Sequence, residues 1–212
     1  MKKGIVIAVI LILLLNVVTV YAANAIYGYF KDYEKVKIFV DGKEIESEVP
    51  AFIIDNTTVL PLRAVAESLN AIVKWDEEHR TAELIKPNVN MQFTANPVYD
   101  KDKKAYVVYS PFGKILNSQR LLFSFHVYSE IDSLPMEEVE VKVELRDPDG
   151  EIVQEGYVKA YDATVENSLQ YINFFEDIRF DKTGNYHVDL LLKSESTKDE
   201  FIKIGQKNIL VK

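Results

Sequence analysis

Short runs of alternating hydrophobic and polar residues begin at Val36 and continue over most of the chain. In "VKIFVDGKEI" the alternation is interrupted by Asp41-Gly42, a dipeptide that is among the strongest local signals for a β-hairpin. "AFIIDNTTVLP" has a comparable run with Asp55-Asn56 at the turn, and these residues tolerate positive φ. The pattern therefore predicts short strands joined by two tight turns.

A helical spacing of apolar residues then replaces the alternation. Pro61 suits a first helical turn, where its missing N–H costs nothing, and Asn70 suits a left-handed residue after the helix. Positions i, i+3, i+4 and i+7 form one apolar stripe, which consists of Leu62, Val65, Ala66 and Leu69. Two strands follow, "AIVKWD" and "TAELIK", joined by the polar turn "EEHR". We predict a small α+β domain over residues 26–86, with an antiparallel sheet packed on one helix.

The remaining sequence divides into an irregular part and a strand-rich part. Residues 87–104 contain two prolines and three asparagines, and we predict a linker there. Residues 105–212 show alternating runs separated by turn signals, which predicts an all-β domain, an antiparallel β-sandwich. A turn at Gly184 followed by Tyr186 is reminiscent of the tyrosine corner of immunoglobulin-like sandwiches.

Composition excludes several classes of function. The formal net charge of −8 argues against non-specific binding of nucleic acid, which needs a basic surface. The absence of cysteine excludes disulfides, zinc–thiolate sites and a cysteine nucleophile. The chain also lacks a "GxSxG" element and a glycine-rich phosphate loop. We predict no catalytic residue and no cofactor.

The first 25 residues are typical of a targeting segment. Lys2 and Lys3 precede an apolar run, and small-residue cleavage patterns follow it. The run can be removed by a signal peptidase, which its small residues favour, or retained as a membrane anchor over residues 4–23. In either case we expect the rest of the chain to be exported, with the lysines on the cytoplasmic side.

Metal and acid–base chemistry receive little support from the sequence. His79, His126 and His187 lie on separate predicted elements, and none has a second histidine at a ligand spacing. The alternating carboxylates of "EVEVKVEL" (138–145) predict a strand with one charged face, although a calcium site or a glycosidase pair is the alternative. "DPDG" (147–150) predicts a hairpin turn rather than a calcium loop. We therefore predict no metal site.

Arg63 and Trp75 are the two candidate ligand contacts. A cation early in a helix lies at the unfavourable end of the dipole, so Arg63 requires compensation. A salt bridge to Glu67 would provide it, as would strand carbonyls or a ligand. Trp75, the chain's single tryptophan, shares a strand face with Val73. We expect Trp75 to pack against the helix, with exposure on a binding surface as the alternative.

These motifs together resemble a known module. Asp41-Gly42-Lys43, the segment from Asn56 to Arg63, Leu69-Asn70 and the strand "VKWD" (73–76) occur in the order and spacing of the copper amine oxidase-like N-terminal, or stalk, domain. The resemblance covers residues 36–86. It departs from the family where Asn56, Thr57 and Asn70 replace glycine, arginine and glycine, respectively.

The resemblance implies a secreted or cell-surface stalk and no copper chemistry, because that family's metal lies in a separate catalytic domain. We therefore expect an exported, non-catalytic protein of the cell envelope or the extracellular space. Its stalk module would act as a spacer, and its sandwich would bind cell-wall glycan or another envelope protein. The many aromatic residues are expected in the core or, alternatively, on a sugar-binding surface. A protease inhibitor presenting the loop 161–174 is the alternative function, and a hydrolase is a third.

Overall fold

The computed structural model of this chain describes residues 28–102, 104–115 and 122–212. The predicted signal or anchor segment, residues 1–25, lies outside the described residues. No helix in the described part is long and apolar enough to cross a membrane. The described residues are mostly β-strand, with one short α-helix. The chain divides into two compact units, Met1–Val65 and Ala66–Lys212.

The described part of the first unit consists of six short strands. They are β1 (Tyr29–Phe30), β2 (Tyr33–Val36), β3 (Ile38–Val40), β4 (Lys43–Ile45), β5 (Ala51–Ile54) and β6 (Thr57–Val59). An antiparallel sheet has the order β1-β2-β5-β6, and β3 pairs with β4 separately. Asp41-Gly42 and Asp55-Asn56 have positive φ and directly join paired strands, which confirms both predicted turns.

The first unit buries little apolar surface. Among its described residues, Ala51 is the only buried hydrophobic residue. The ring of Phe52 packs against Phe30 at 5.8 Å and against Tyr33 at 5.3 Å between centroids. Large apolar side chains remain exposed, namely Tyr29, Tyr33, Phe39, Val49, Val59, Leu60 and Leu62.

The helix α1 (Leu62–Ser68) is confirmed at the predicted position but has only seven residues. Asn70 has φ of 57°, and the amide of Ala71 donates to the carbonyl of Ala66 at 2.8 Å, so the helix ends as predicted. Only Ala66 of the predicted stripe is buried. Leu69 stays exposed because so short a helix covers little of its surroundings.

The strands β7 (Ile72–Asp76) and β8 (Thr81–Ile85) form an antiparallel hairpin closed by the predicted turn at 77–80. Alternate residues face opposite sides of a strand. Val73 accordingly clusters with Ala66 and Ala71, whereas Ile72 belongs to the large core of the second unit.

Two sheets form most of the second unit. Sheet I has the order β10-β9-β12-β16 and is antiparallel throughout. Its strands are β9 (Asn88–Asp100), β10 (Ala105–Phe112), β12 (Leu122–Asp132) and β16 (Leu169–Arg179). Sheet II has the order β11-β18-β17-β13-β14, with β15 also paired to β13. Its strands are β11 (Lys114–Ile115), β13 (Glu138–Arg146), β14 (Ile152–Glu155), β15 (Lys159–Asp162), β17 (Gly184–Ser194) and β18 (Ile202–Val211).

Side chains from both sheets belong to one hydrophobic core. Phe93, Phe125 and Phe175 come from sheet I, and Val141 and Leu190 come from sheet II. Phe125 contacts Phe93 edge to face at 5.9 Å and Phe175 at 5.4 Å between centroids. The alternating pattern therefore predicted the all-β character of this part correctly.

The predicted linker over 87–104 is wrong for most of its length. Residues Asn88–Asp100 form β9, which pairs with β12 through its first half and with β10 through its second. The physical reason lies in "NVNMQF", where asparagine and glutamine occupy the outward positions of an ordinary alternating strand.

The strand β16 forms an edge of sheet I, and side chains rather than a further strand cover its free carbonyls. The hydroxyl of Tyr161 donates to the carbonyl of Gln170 at 2.6 Å, and that of Tyr157 donates to Ile172 at 2.7 Å. The amide of Tyr157 also donates to the Asn173 side chain at 3.2 Å. These contacts protect an edge that would otherwise offer unpaired groups to another chain.

Candidate functional site

Arg63 is half-buried in the first turn of α1. Within the described residues it forms no hydrogen bond or ion pair, so the predicted compensation by Glu67 is wrong. The helix has only seven residues, and its dipole is correspondingly short. A ligand role for Arg63 stays a prediction.

Trp75 is exposed, with half of its surface (50%) accessible to solvent. The indole N–H donates to the carboxylate of Glu77 at the following turn. Val73, two residues earlier on the same face of β7, is buried, so Trp75 lies on the face of the strand that was predicted. The expectation that Trp75 packs into the core is wrong, because β7 extends past the buried cluster of Ala66, Ala71 and Val73.

The acidic turn 147–150 closes around a lysine. The ammonium of Lys182 forms ion pairs with Asp147 and Asp149. The other oxygen of Asp147 accepts the amides of Asp149 (2.9 Å) and Glu151 (3.0 Å). The pKa of Asp147 is lowered, first by the hydrogen bond from Lys182. The turn is confirmed, and its oxygens already hold a cationic side chain rather than an open cation site.

The charged face of β13 is paired from Glu140 to Arg146. Lys142 lies 2.9 Å from carboxylate oxygens of both Glu144 and Glu155. Arg146 binds the second oxygen of Glu144. Burial alone would raise the pKa of Glu144, but hydrogen bonds from Lys142 and Arg146 outweigh it, and the pKa is lowered. The alternation predicted for this strand is confirmed.

A groove of about 560 Å³ on the second unit brings aromatic and polar side chains together. We call it the tyrosine groove. Tyr106 of β10 and Tyr161 of β15 contribute its aromatic walls. It is lined by Tyr106, Glu130, Ile131, Asp132, Lys159, Tyr161, Glu166, Ser168, Leu169 and Gln170. Such a combination of aromatic faces and convergent polar groups is typical of small-ligand sites.

Further tyrosines surround Tyr106. Its ring contacts the cross-strand neighbour Tyr99 at 5.2 Å, edge to face, and Tyr128 at 6.2 Å. Tyr99 is about half exposed, whereas Tyr128 is only 5% exposed. Tyr106 is thus supported from two sides while part of its own ring stays accessible.

The carboxylates of Glu130 and Asp132 on β12 are held in place by donors on β12 itself and on the neighbouring β9. The hydroxyl of Tyr128 donates to Glu130 at 2.7 Å, and Asn90 donates to the other Glu130 oxygen at 3.4 Å. Asn88 donates to Asp132 at 3.0 Å. Burial, followed by the bond to Glu130, raises the pKa of Tyr128, so its hydroxyl remains a donor at all ordinary pH values. The carboxylate oxygens are therefore fixed before any ligand arrives.

Lys159 and Tyr161 form the opposite side of the tyrosine groove. The Lys159 ammonium lies 4.5 Å from the centroid of the Tyr161 ring and 3.5 Å from the Gln170 carbonyl. The Tyr161 hydroxyl is engaged by the same carbonyl. The hydroxyl of Tyr161 is therefore occupied, and its ring lies against the Lys159 ammonium and the hydrophobic core.

The sequence shows that tyrosines are abundant but not which of them lie together in the fold. Tyr106 belongs to the aromatic-rich stretch "AYVVYSPF" (105–112). Glu130 and Asp132 were overlooked because their alternation matches that of any solvated strand face. One sequence signal for this grouping is "NVN" (88–90). When this segment is read as a strand, its asparagines face outward, and in the fold they lie opposite Asp132 and Glu130.

The predicted inhibitor loop is much shorter than expected. Residues Leu169–Arg179 are strand β16, which leaves only 163–168 between β15 and β16. Val165 is 83% exposed but follows directly from a turn anchored by Asp162, whose carboxylate accepts the Thr164 amide at 3.0 Å. A protease active site receives an extended segment, so this turn does not favour the inhibitor alternative.

The three histidines remain on separate elements. His79 contacts Asp76 at 2.9 Å in the 77–80 turn, His126 stacks on Phe174 at 4.6 Å, and His187 lies 3.9 Å from Asp189. Among the described residues, no group of three or more histidine, aspartate or glutamate side chains could hold a metal ion. These residues do not fit a copper site.

Comparison with known proteins gives a family match and distant similarities to solved structures. No curated protein matches the chain. Among solved structures, a putative beta-galactosidase from Bacteroides fragilis is similar, with 13% identity and a TM-score of 0.32. That alignment covers 43% of this chain and 14% of the galactosidase, so this chain spans a small part of that protein's length. The family model of the copper amine oxidase N-terminal domain matches residues 39–111, and the resemblance seen in the sequence is thereby confirmed for about a third of the chain.

Proposed function

We propose that this chain is an exported, non-catalytic protein of the cell envelope whose tyrosine groove binds glycan. The observation that carries the proposal is the pairing of accessible tyrosine rings with carboxylates that are already fixed. Tyr106 and Tyr161 offer faces for sugar rings, and Glu130 and Asp132 offer acceptors for sugar hydroxyls. Preorganised side chains of this kind lower the entropic cost of binding.

Export is supported by the amino-terminal sequence. Lys2 and Lys3, the apolar run and the small residues after it are typical of a segment read by the secretion machinery. The stalk-like residues 36–86 would serve as a spacer between the envelope and the groove. Fractionation of cells expressing the full chain, with amino-terminal sequencing of the product, tests export. It also distinguishes cleavage from anchoring over residues 4–23.

The binding part is proposed to be an immunoglobulin-like sandwich. Sheets I and II share one core, and Tyr186 is buried at the start of β17. Its hydroxyl accepts the amide of Lys182 at 3.0 Å, four residues upstream, which supports a tyrosine corner. The same framework would hold β12, β15 and β16 in the positions that create the groove.

Co-sedimentation of the purified chain with isolated cell walls tests glycan binding. Tyr106→Ala should weaken binding about tenfold, as expected for removal of an aromatic contact at the centre of a site. Tyr109→Ala is the matched control, because Tyr109 lies on the same strand, is 56% exposed and does not line the groove. Equal loss in both variants, or no binding by the unaltered chain, would contradict the proposal. Release of reducing ends during the incubation would instead favour a hydrolase.

A further inference from the structure

We infer that a second copy of this chain pairs with the free edge of strand β10, antiparallel to it and about a two-fold axis at Val107. The inference goes beyond the proposed function and does not depend on it. β10 (Ala105–Phe112) is the end strand of sheet I, and β9 is its neighbour there. Among the described residues, β10 forms no backbone–backbone hydrogen bond other than those to β9. One side of the strand therefore presents unpaired N–H and C=O groups.

The other sheet edges described in the second unit are better protected than β10. Tyrosine hydroxyls cover β16. β14 and β15 have four residues each and contain charged side chains, namely Glu155, Lys159 and Asp162, and β11 has only two residues. β10 has eight residues, none of them charged. Short strands and charged side chains are common protection against edge pairing, and β10 has neither.

The backbone conformation of β10 limits which residues can pair. Lys104 and Ser110 have φ of 52° and 51°, far from the values of an extended strand. Pro111 has no backbone N–H to donate. The regular stretch is therefore 105–109, and Val107 is its central residue. An antiparallel pair that uses the whole stretch places Val107 of one copy opposite Val107 of the other.

Two properties of the chain favour a second copy as the partner. An antiparallel pair of identical strands about a two-fold axis is self-complementary, so the assembly closes at two chains. The formal net charge of −8 makes two copies repel each other over most of their surfaces. Residues 96–112, which we call the arm, contain three lysines and two aspartates, a net charge of +1. The arm is therefore a segment where two acidic copies can approach at little electrostatic cost.

Exposed apolar side chains accompany the free edge. Val98 and Tyr99 of β9 are 44% and 49% exposed, and Tyr109 of β10 is 56% exposed. A second arm alongside the first would cover part of this surface. Burial of apolar surface is favourable, so it would add to the hydrogen bonds between the two strands.

The pair would bring two tyrosine grooves together. In the stated register Tyr106 of one copy lies opposite Val108 of the other, and residues directly opposite share one face of a sheet. The two copies of Tyr106 are then diagonal neighbours on that face, about 8 Å apart. One polymer could contact both grooves, which would raise its apparent affinity. This consequence, unlike the pairing itself, rests on the proposed function.

Single-cysteine variants test the register, because the chain has no cysteine of its own. Under mild oxidation Val107→Cys should form a disulfide-linked pair of chains. The two-fold axis places the Cα atoms of residue 107 about 5 Å apart, within the range that a disulfide spans. Val108→Cys is the matched control, because its two copies are diagonal neighbours about 8 Å apart and too distant for a disulfide.

Light scattering on the purified chain measures the assembly directly. We expect the unaltered chain to have twice the mass of one chain. Val107→Lys should have the mass of one chain, because like charges directly opposite each other destabilise strand pairing. Val98→Lys is the control and should remain paired. Val98 is the cross-strand neighbour of Val107 on β9, so this variant adds the same charge to the arm away from its free edge.

Several results would overturn the inference. They are a single-chain mass for the unaltered chain, a disulfide in Val108→Cys without one in Val107→Cys, and equal loss of pairing in both lysine variants. Cell-wall binding by an unaltered chain that stays single would overturn the inference and leave the proposed function intact. A paired chain that binds no cell walls would support the inference and contradict the proposed function.

Discussion

At the scale of single residues, Trp75 and Lys182 show how local geometry decides the role of a side chain. Trp75 lies on the expected face of β7 but beyond the buried cluster of Ala66, Ala71 and Val73, and half of its surface is exposed. Lys182 is remote in sequence from Asp147, yet the fold brings the two together in an ion pair. Neither outcome follows from the residue types alone.

Trp75 should report its own exposure. Because it is the chain's single tryptophan, intrinsic fluorescence should show the long-wavelength emission of a hydrated indole and strong quenching by iodide. Trp75→Phe should abolish the signal without changing the unfolding temperature much, since surface substitutions have small effects. Blue-shifted emission that resists iodide would contradict the exposed position.

Removal of the Lys182 ammonium should make the stability of the fold less sensitive to acidic pH. The pKa of Asp147 is lowered in the folded chain, so its ion pair stabilises the fold above the ordinary pKa of aspartate, about 4. This contribution is lost as pH falls through the lowered folded value. Lys182→Met should therefore reduce the melting temperature at neutral pH, and the difference from the unaltered chain should narrow in acid.

Lys101→Met provides the control for the lysine substitution, because Lys101 is exposed in the turn after β9. Its melting temperature should follow that of the unaltered chain at every pH. A constant difference between Lys182→Met and the unaltered chain from neutral to acidic pH would show that the ion pair is not responsible.

At the scale of elements, predictions succeeded where a local signal determines the backbone. Asp41-Gly42, Asp55-Asn56 and Asn70 all adopt the positive φ that their residue types allow. The prediction for β9 failed because asparagines were taken as signs of irregular chain. Their actual role is decided by β12, a distant strand whose Glu130 and Asp132 lie opposite Asn90 and Asn88.

Asn70 offers a direct test of the helix end. Asn70→Ala should lower the free energy of unfolding by about 1 kcal/mol, because alanine is penalised in the left-handed conformation. Asn70→Gly, which restores the residue usual in the family, should leave stability unchanged or raise it. Chemical denaturation measures both. Equal stability of the two variants would show that the left-handed conformation costs nothing here.

At the scale of the whole molecule, apolar burial is distributed very unequally. Among the described residues of the first unit only Ala51 is a buried hydrophobic, whereas sheets I and II share a large aromatic and aliphatic core. Burial of apolar surface is the main favourable term in folding. The two units are therefore expected to differ widely in local stability.

Amide hydrogen exchange followed by mass spectrometry should reveal that difference. Peptides from residues 28–65 should exchange much faster than peptides from β13 and β17, because local opening requires less apolar surface to be exposed. Peptides from β12 and β16 serve as internal references for the large core. Uniform protection along the chain would contradict the expectation and would indicate that the first unit has a stabilising partner.

For the candidate site, the sequence predicted only the types of residue involved and not their arrangement. A tyrosine-rich sequence indicated aromatic contacts, but the groove depends on β10, β12, β15 and β16, which are far apart along the chain. Tyr106 and Tyr161 line the same groove only because β15 lies beside β13 while β10 ends sheet I. Contacts of this kind are set by sheet order, and no local pattern encodes sheet order.

Tyr161 has a consequence for how this protein can diversify. Its hydroxyl covers the edge of β16, and its side chain packs against the core and borders the tyrosine groove. If the tyrosine groove binds glycan as proposed, a substitution of Tyr161 that changed ligand preference would also uncover a strand edge and favour self-association. Tyr106 has no such second role, because within the described residues no backbone group depends on its hydroxyl. Relatives with other specificities should therefore vary at Tyr106 first and keep a tyrosine at the position of Tyr161.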